Sequence, residues 1–275
     1  AAELVGDSQD NNCDGEDWSH SVDVGYSQIC VTGANGLQCW DDTGSGLLSD
    51  TPEGRFQAVS GGSGFSCAID EDSLLYCWGE EDYGEVSDAP LGEFKAVDTG
   101  FYHGCALDSD GAVHCWGTQG GEMYDDGQVS DAPAGQFRAV ATGAYTSCAL
   151  DMEGQAHCWG DDADGVVSDV PSASLVQISA AWDLVCGVDV EGGVHCWGGD
   201  SWNAVSNVPE GKNYTHVEAG WSFACALTED GEAECWGYNV QGVVNDTPQG
   251  VFTQLSAGSP SACAVDTDEQ LHCWG

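Results

Sequence analysis

Short runs in which apolar and polar side chains alternate, separated by Gly-rich turns, predict strands along the whole chain. One stretch shows the unit: Phe137 to Val140, Cys148 to Asp151, Ala156 to Trp159 and Val166 to Ser168 read as four strands in succession. The unit then repeats. A cysteine, eight or nine residues, then Cys-Trp recurs seven times, with the first cysteines 37, 38, 43, 38, 39 and 38 residues apart. Such self-similarity belongs to a propeller or a solenoid rather than to unrelated domains. Pro52, Pro90, Pro133, Pro171, Pro209 and Pro248 mark the passage from one unit to the next.

Hairpin geometry tests the cysteine spacing. In the third unit Cys105 and Cys115 flank a turn at Ser109, Asp110 and Gly111, where glycine supplies the left-handed residue of a three-residue loop. Counting outward pairs Leu107 with Val113, Ala106 with His114, and Cys105 with Cys115. The cysteines then form a non-hydrogen-bonded pair, with Cα atoms ~4.5 Å apart and within reach of a disulfide. The first unit is one residue shorter, but its two-residue turn, Ala34-Asn35, keeps the parity. The register predicts seven hairpin disulfides: Cys30 with Cys39, Cys67 with Cys77, Cys105 with Cys115, Cys148 with Cys158, Cys186 with Cys196, Cys225 with Cys235, and Cys263 with Cys273. Each contributes ~3 kcal/mol through loop closure. Cys13 is left over. Extensive pairing implies an oxidising compartment, so the chain is expected to be secreted or at the cell surface, a mature segment cut at Ala1. No hydrophobic run reaches membrane-spanning length, so no membrane insertion is expected.

Alternation also assigns faces. Each cysteine of strand 3 points to one side of its blade and the following tryptophan to the other, so Trp40, Trp78, Trp116, Trp159, Trp197, Trp236 and Trp274 are expected to pack against the next blade. His114, His157, His195 and His272 occupy one repeat position on separate blades, a periodic arrangement rather than a convergent metal site.

Segments such as AVATGAYTSCALDMEGQAHCWG and AVDTGFYHGCALDSDGAVHCWG resemble the repeat of the regulator of chromosome condensation family, from about Ser19 to Gly275. The resemblance implies an all-β fold, a seven-bladed β-propeller. The shorter loops are most similar to its secreted bacterial branch, which includes a propeller inhibitor of beta-lactamases that grips its partner through an aromatic loop face. Nothing resembles the wedge by which the nuclear member acts on its GTPase, so that exchange activity is not implied.

The seventh unit stops at Trp274-Gly275, and Glu3 to Asp7 resembles Gly165 to Asp169. An N-terminal strand is therefore expected to close the propeller, with donation of that strand to a neighbouring molecule as the alternative. Residues 1–18 then form the closing strand and an acidic Asp/Asn-rich loop, and 19–275 the propeller. In that loop Asp10, Asn12 and Asp14, followed by Gly15, match the first half of a calcium loop, although the twelfth position is Ser21 rather than a glutamate. The segment also resembles the end of a metal-binding motif, DNNCDG, of secreted bacterial proteins, in which Cys13 pairs with an upstream cysteine. Ca2+ is the cofactor this suggests; a solvated acidic turn is the alternative.

Charge limits the partners. Forty-seven acidic residues against four basic ones give a formal charge of −43. Arg55, Lys95, Arg138 and Lys212 cannot assemble a phosphate-neutralising patch, which excludes nucleic acid. Up-and-down strands put the loops after strands 1 and 3 on one face of the disc. The first set carries Tyr26, Phe65, Phe101, Tyr102, Tyr145, Trp182, Trp221 and Phe223; the second carries Tyr83, Trp202 and Tyr238, with Met123 and Tyr124 on its longest loop. Such a face suits a protein interface or a glycan platform, with some rings folding inward to plug the channel. The expected function is a non-catalytic recognition scaffold for an extracellular protein or glycan, through Tyr26, Tyr83, Phe101, Tyr102, Tyr145, Trp182, Trp202, Trp221 and Tyr238. A structural subunit that self-assembles by strand exchange or through Cys13 is the alternative. No nucleophile elbow, phosphate loop or zinc signature points to an enzyme.

Overall fold

The computed structural model describes residues 21–26, 28–33, 36–41, 50–118 and 125–275. Among them, seven antiparallel three-stranded sheets follow one another along the chain. The first blade holds β1 (Ser21–Val24), β2 (Gln28–Thr32) and β3 (Gln38–Asp41); the second holds β4 (Phe56–Gly61), β5 (Phe65–Asp70) and β6 (Leu75–Gly79). The third comprises β7 (Phe94–Thr99), β8 (His103–Asp108) and β9 (Val113–Gly117), and the fourth β10 (Phe137–Thr142), β11 (Thr146–Asp151) and β12 (Ala156–Gly160). In the fifth are β13 (Leu175–Ala181), β14 (Leu184–Asp189) and β15 (Val194–Gly198). The sixth has β16 (Tyr214–Ala219), β17 (Phe223–Thr228) and β18 (Ala233–Gly237), and the seventh β19 (Phe252–Ala257), β20 (Ala262–Asp266) and β21 (Leu271–Trp274).

The cysteine register is as counted. Cys105 faces Cys115, Ala106 faces His114 and Leu107 faces Val113. All seven predicted pairs are bonded, with Cα atoms 4.0 to 4.1 Å apart.

Several expectations about the blades need correction. Val166 to Ser168 form a turn, not a fourth strand. The turn curls because the Asp162 carboxylate accepts the backbone N–H groups of Val167 and Ser168, both at 2.9 Å. Glu81, Asp200 and Asn239 bind the equivalent N–H groups in their own blades. A side-chain acceptor aimed at successive N–H groups thus replaces the ladder partner a fourth strand would need. Among the described residues, moreover, no strand closes the propeller. No described sheet is closed or shared between blades, and the first blade meets the last through side chains, Val22 and Val24 packing with Cys263 and Val265. The Glu3 to Asp7 segment, the 1–18 unit, Cys13 and the calcium-loop residues Asp10, Asn12 and Asp14 lie outside the described residues, as do Ala34, Asn35, Met123 and Tyr124.

Main-chain acceptors tie neighbouring blades together at three levels. At the hairpin ends, the N–H of Phe137 donates to the Gly111 carbonyl and that of Leu175 to Gly154, both at 2.8 Å. Further out, the tryptophans face the preceding blade rather than the following one. The indole N–H of Trp116 donates to the Glu85 carbonyl at 2.7 Å, Trp159 to Gln128 at 2.8 Å, Trp197 to Val166 at 3.0 Å, Trp236 to Ala204 at 2.8 Å and Trp274 to Val243 at 2.9 Å. Each of these rings lies on the turn after strand 3 of the preceding blade, whose carbonyl accepts the indole N–H. Trp40 departs from the expectation and is 49% exposed. At the inner rim, Phe101 N–H donates to Gly143 O at 3.3 Å, Ala144 to Trp182 at 2.9 Å and Trp221 to Gly258 at 3.2 Å.

Candidate binding surface at the channel mouth

The first strand of every blade lines the axial channel. One column faces it, always opposite the first cysteine of the hairpin: Asp23, Ser60, Asp98, Ala141, Ser179, Glu218 and Ser256. These side chains bridge blades. Asp23 accepts the Gly61 N–H at 2.6 Å, Ser60 the Thr99 N–H at 3.0 Å and Asp98 the Thr142 N–H at 2.6 Å. Ser179 accepts the Ala219 N–H at 3.1 Å, and Ser256 accepts the Val24 N–H at 2.9 Å, across the junction between the ends of the ring.

Three of these residues are carboxylates with no lysine or arginine beside them. Burial raises Asp98 to about 7 against the pull of its hydrogen bonds from Thr142, and Glu218 adds repulsion. Burial likewise raises Asp23 well above its usual range, with Asp98 and Glu218 pushing the same way. A carboxyl held above its unfolded value of about 4 keeps its proton longer in the folded state, so stability falls as pH rises from about 4 to about 7. The hairpin carboxylates behave oppositely: His114 and then the Ala112 N–H hold Asp108 low, and His157 does so for Asp151. Their stabilisation is complete above the ordinary carboxylate range and is lost in stronger acid. Melting temperature is therefore expected to rise as pH is lowered from 8 to 5.5, and Asp98→Asn should flatten that slope. A melting temperature that falls over this interval would contradict the assignment.

Above the channel stand the aromatic residues of the two loop sets. Tyr26 meets Phe101 at a centroid distance of 5.3 Å, Phe101 meets Tyr102 at 4.8 Å and Trp182 at 5.2 Å, and Tyr102 meets Tyr83 at 5.4 Å and Tyr145 at 5.7 Å. Trp182 continues to Trp221 at 6.5 Å, Trp221 to Tyr238 at 6.4 Å, and Tyr238 stacks on Trp202 at 4.2 Å. All nine rings singled out in the sequence thus form one connected cluster drawn from blades one to six. Phe101 bridges Tyr26 of the first blade and Trp182 of the fifth, which places it across the channel mouth. Phe65 and Phe223 belong instead to the core, at 1% and 0% exposure.

Trp182 has a backbone φ of 54°. It follows Ala181, which stands where the other blades carry the rim glycine, and its carbonyl accepts the Ala144 N–H as Gly143 accepts that of Phe101. A bulky residue in this region costs on the order of 1–3 kcal/mol, and such strain persists where surrounding structure or function holds it. Beside it lie Asp161, Asp164 and Asp183; burial raises Asp183, with repulsion from Asp164 next.

The periodic histidines do not converge. His114, His157, His195 and His272 each contact an aspartate of their own hairpin, at 2.7 to 2.9 Å, and no described group of three or more His, Cys, Asp or Glu side chains could hold a metal. A Ser–His contact does occur, His103 Nε2 with Ser147 Oγ at 2.8 Å, but both residues are fully buried and burial pushes the imidazole down to about 4. Sealed between two blades, it joins them and meets no substrate. No described helix is long and apolar enough to cross a membrane.

Residues 56–85, 94–121, 137–166 and 214–243 match the model described as the Regulator of chromosome condensation (RCC1) repeat. Four of the seven blades carry that repeat. The chain is similar to the ectodomain of the receptor kinase CR4 from Physcomitrella patens, with 26% identity over 94% of this chain and 73% of that one, at a TM-score of 0.75. It is similar also to the CRINKLY WD40 ectodomain of the receptor kinase ACR4 from Arabidopsis thaliana, with 26% identity over 93% of this chain and 94% of that one, at a TM-score of 0.73. Prp20p from Saccharomyces cerevisiae, described with its binding to Gsp1p and histones, shares 15% identity over 87% of this chain and 80% of its own, at a TM-score of 0.70, which is likeness of fold. No curated protein matches the chain. The expected placement in a secreted bacterial branch is therefore corrected: these relatives are plant and yeast proteins, and the analogy with a beta-lactamase inhibitor falls with it. The ectodomain relatives agree with the seven disulfides in a secreted or cell-surface location. The described residues form a propeller with an exposed aromatic surface.

Proposed function

We propose that this propeller is an extracellular recognition module that binds a protein or glycan ligand on its aromatic face. The observation that carries this is the single cluster of nine rings around the channel mouth, with Tyr26, Trp182 and Trp202 at 49%, 38% and 48% exposure. Rings of that size on loop positions are not needed to pack the blades, and aromatic anchors dominate interface energetics. The strained backbone at Trp182 supports the same reading, because a glycine there would fold at less cost. A ligand would be recovered from extracellular material on the immobilised propeller and its affinity measured against variants. Trp182→Gly and Trp221→Ala are each expected to weaken it by about 2 kcal/mol or more, while Trp182→Gly leaves the melting temperature within a few degrees. Asp110→Ala and Glu153→Ala, on the opposite hairpin turns, should change it by less than about 1 kcal/mol. The reverse ranking would place the ligand on the other face.

A further inference from the structure

A cavity of about 100 Å³ opens at the channel mouth. Its upper wall is aromatic, formed by Tyr26, Phe101, Trp182 and Trp221, and its lower wall holds the carboxylates of Asp23, Asp98 and Glu218. No lysine or arginine lines it. Three of the four basic residues are engaged elsewhere: the guanidinium of Arg138 donates to main-chain carbonyls, including that of Val176 at 3.0 Å, Lys212 pairs with Glu234 at 2.9 Å, and Arg55 lies 3.9 Å from Glu71. The titratable groups that face the channel carboxylates are one another and His216, whose Nε2 lies 2.7 Å from Glu218.

Aromatic faces above desolvated carboxylates form an environment suited to a cation, and of the three acids only Glu218 has a basic group, His216, beside it. The ring quadrupoles attract a cation, and a compact positive head entering here relieves the repulsion among the acids that line the wall. The cavity is too small for a folded segment and suits the tip of one side chain. Resting on the binding role of this face, we propose that the channel mouth receives an arginine or lysine side chain of a partner protein, its charged head held between the aromatic rim and Asp23, Asp98 and Glu218. The Asp161, Asp164 and Asp183 cluster on the outer flank of Trp182 extends the negative field around the same entrance and steers a basic surface toward it. The partner is thus a protein with an exposed basic side chain at the centre of its contact patch. Binding weakens as pH falls through about 7, because Asp98 takes up a proton in the free propeller.

The probes are N-acetyl-arginine methylamide and its neutral isostere N-acetyl-citrulline methylamide, titrated against the indole N–H resonances of Trp182 and Trp221 by NMR in physiological salt at pH 8. Saturable shifts with the arginine probe, at least about tenfold weaker with citrulline, are expected. Glu218→Gln and Asp98→Asn should each weaken the arginine probe by about fivefold or more, and Asp110→Ala, which removes equal charge elsewhere, should not. Because Asp98 also binds the Thr142 N–H, the pH dependence of the unmutated protein serves as the second measurement: affinity should drop between pH 8 and 5.5. Equal binding of arginine and citrulline probes, or shifts untouched by both carboxylate variants and by pH, would overturn the proposal. If Trp182→Gly still abolishes capture of the natural ligand in that case, the aromatic face stands and the cation alone is wrong, with a glycan as the fitting ligand. If Trp182→Gly leaves that capture intact, both fall.

Discussion

Replacing Gly100 with alanine is expected to destabilise the propeller by about 3 kcal/mol or more, seen as a drop of several degrees in melting temperature. A Cβ built there would stand 2.2 Å from the Gly143 carbonyl oxygen and 3.0 Å from the His103 ring. The carbonyl cannot retreat, because it accepts the Phe101 N–H at 3.3 Å and belongs to the main chain of the next blade. The same crowding recurs at Gly62 against Gly100 O at 2.4 Å and at Gly258 against Val24 O at 2.3 Å, so the inner rim is a belt of backbones in direct contact. Gly61 supplies the comparison. Its Cβ would meet nothing closer than the Asp23 carboxylate at 3.4 Å, and Gly61→Ala should cost less than about 1 kcal/mol. Equal effects at the two positions would mean that the rim is looser than described.

Trp197→Ala should cost about 3–5 kcal/mol. The ring is 4% exposed and packs among Leu150, Val166, Leu175 and Ile178, so truncation opens a cavity at the seam between the fourth and fifth blades. It also strips the Val166 carbonyl of its indole donor. Trp197→Phe separates the two contributions: most apolar contact is kept and only the hydrogen bond is lost, for about 1–3 kcal/mol. Chemical denaturation of both variants at neutral pH with the disulfides intact would measure them. A phenylalanine variant as unstable as the alanine one would show that the carbonyl contact dominates the seam.

Much of this architecture is legible in the chain because its strongest signals are local. A cysteine nine or ten residues from its partner, with a tight turn between, specifies the hairpin register by counting alone, and the seven disulfides follow. The turn after strand 3 was harder to foresee. Val166, Val167 and Ser168 have strand-like composition, and only the acceptor five residues ahead of Val167, Asp162, announces that the backbone curls instead. That tryptophan packs on the preceding blade also depends on this turn, so one misreading carried the other with it. At the candidate surface, placing aromatic residues on two loop sets of one face anticipates the cluster, yet sequence spacing does not distinguish Phe65 and Phe223, which turn into the core, from Phe101, which crosses the mouth. The channel carboxylates were missed. Their signal was present as a polar column opposite the first cysteines, Asp23, Ser60, Asp98, Ser179, Glu218 and Ser256, in strands whose neighbours are mostly apolar. Reading that column requires knowing that strand 1 is innermost, which ring geometry supplies and a single repeat does not.

Hydroxyl-radical footprinting of the propeller, free and bound to its recovered ligand, tests the account most directly. Exposed side chains on both ends of the disc report in one experiment: Tyr26 and Trp202 at the aromatic face, 49% and 48% exposed, and Tyr76 and Met152 on the hairpins, 42% and 60% exposed. The account predicts strong protection of Tyr26, Trp182 and Trp202 on binding, with Tyr76 and Met152 oxidised as fast as in the free protein. Protection of Tyr76 and Met152 with Trp182 and Trp202 still reactive would contradict it.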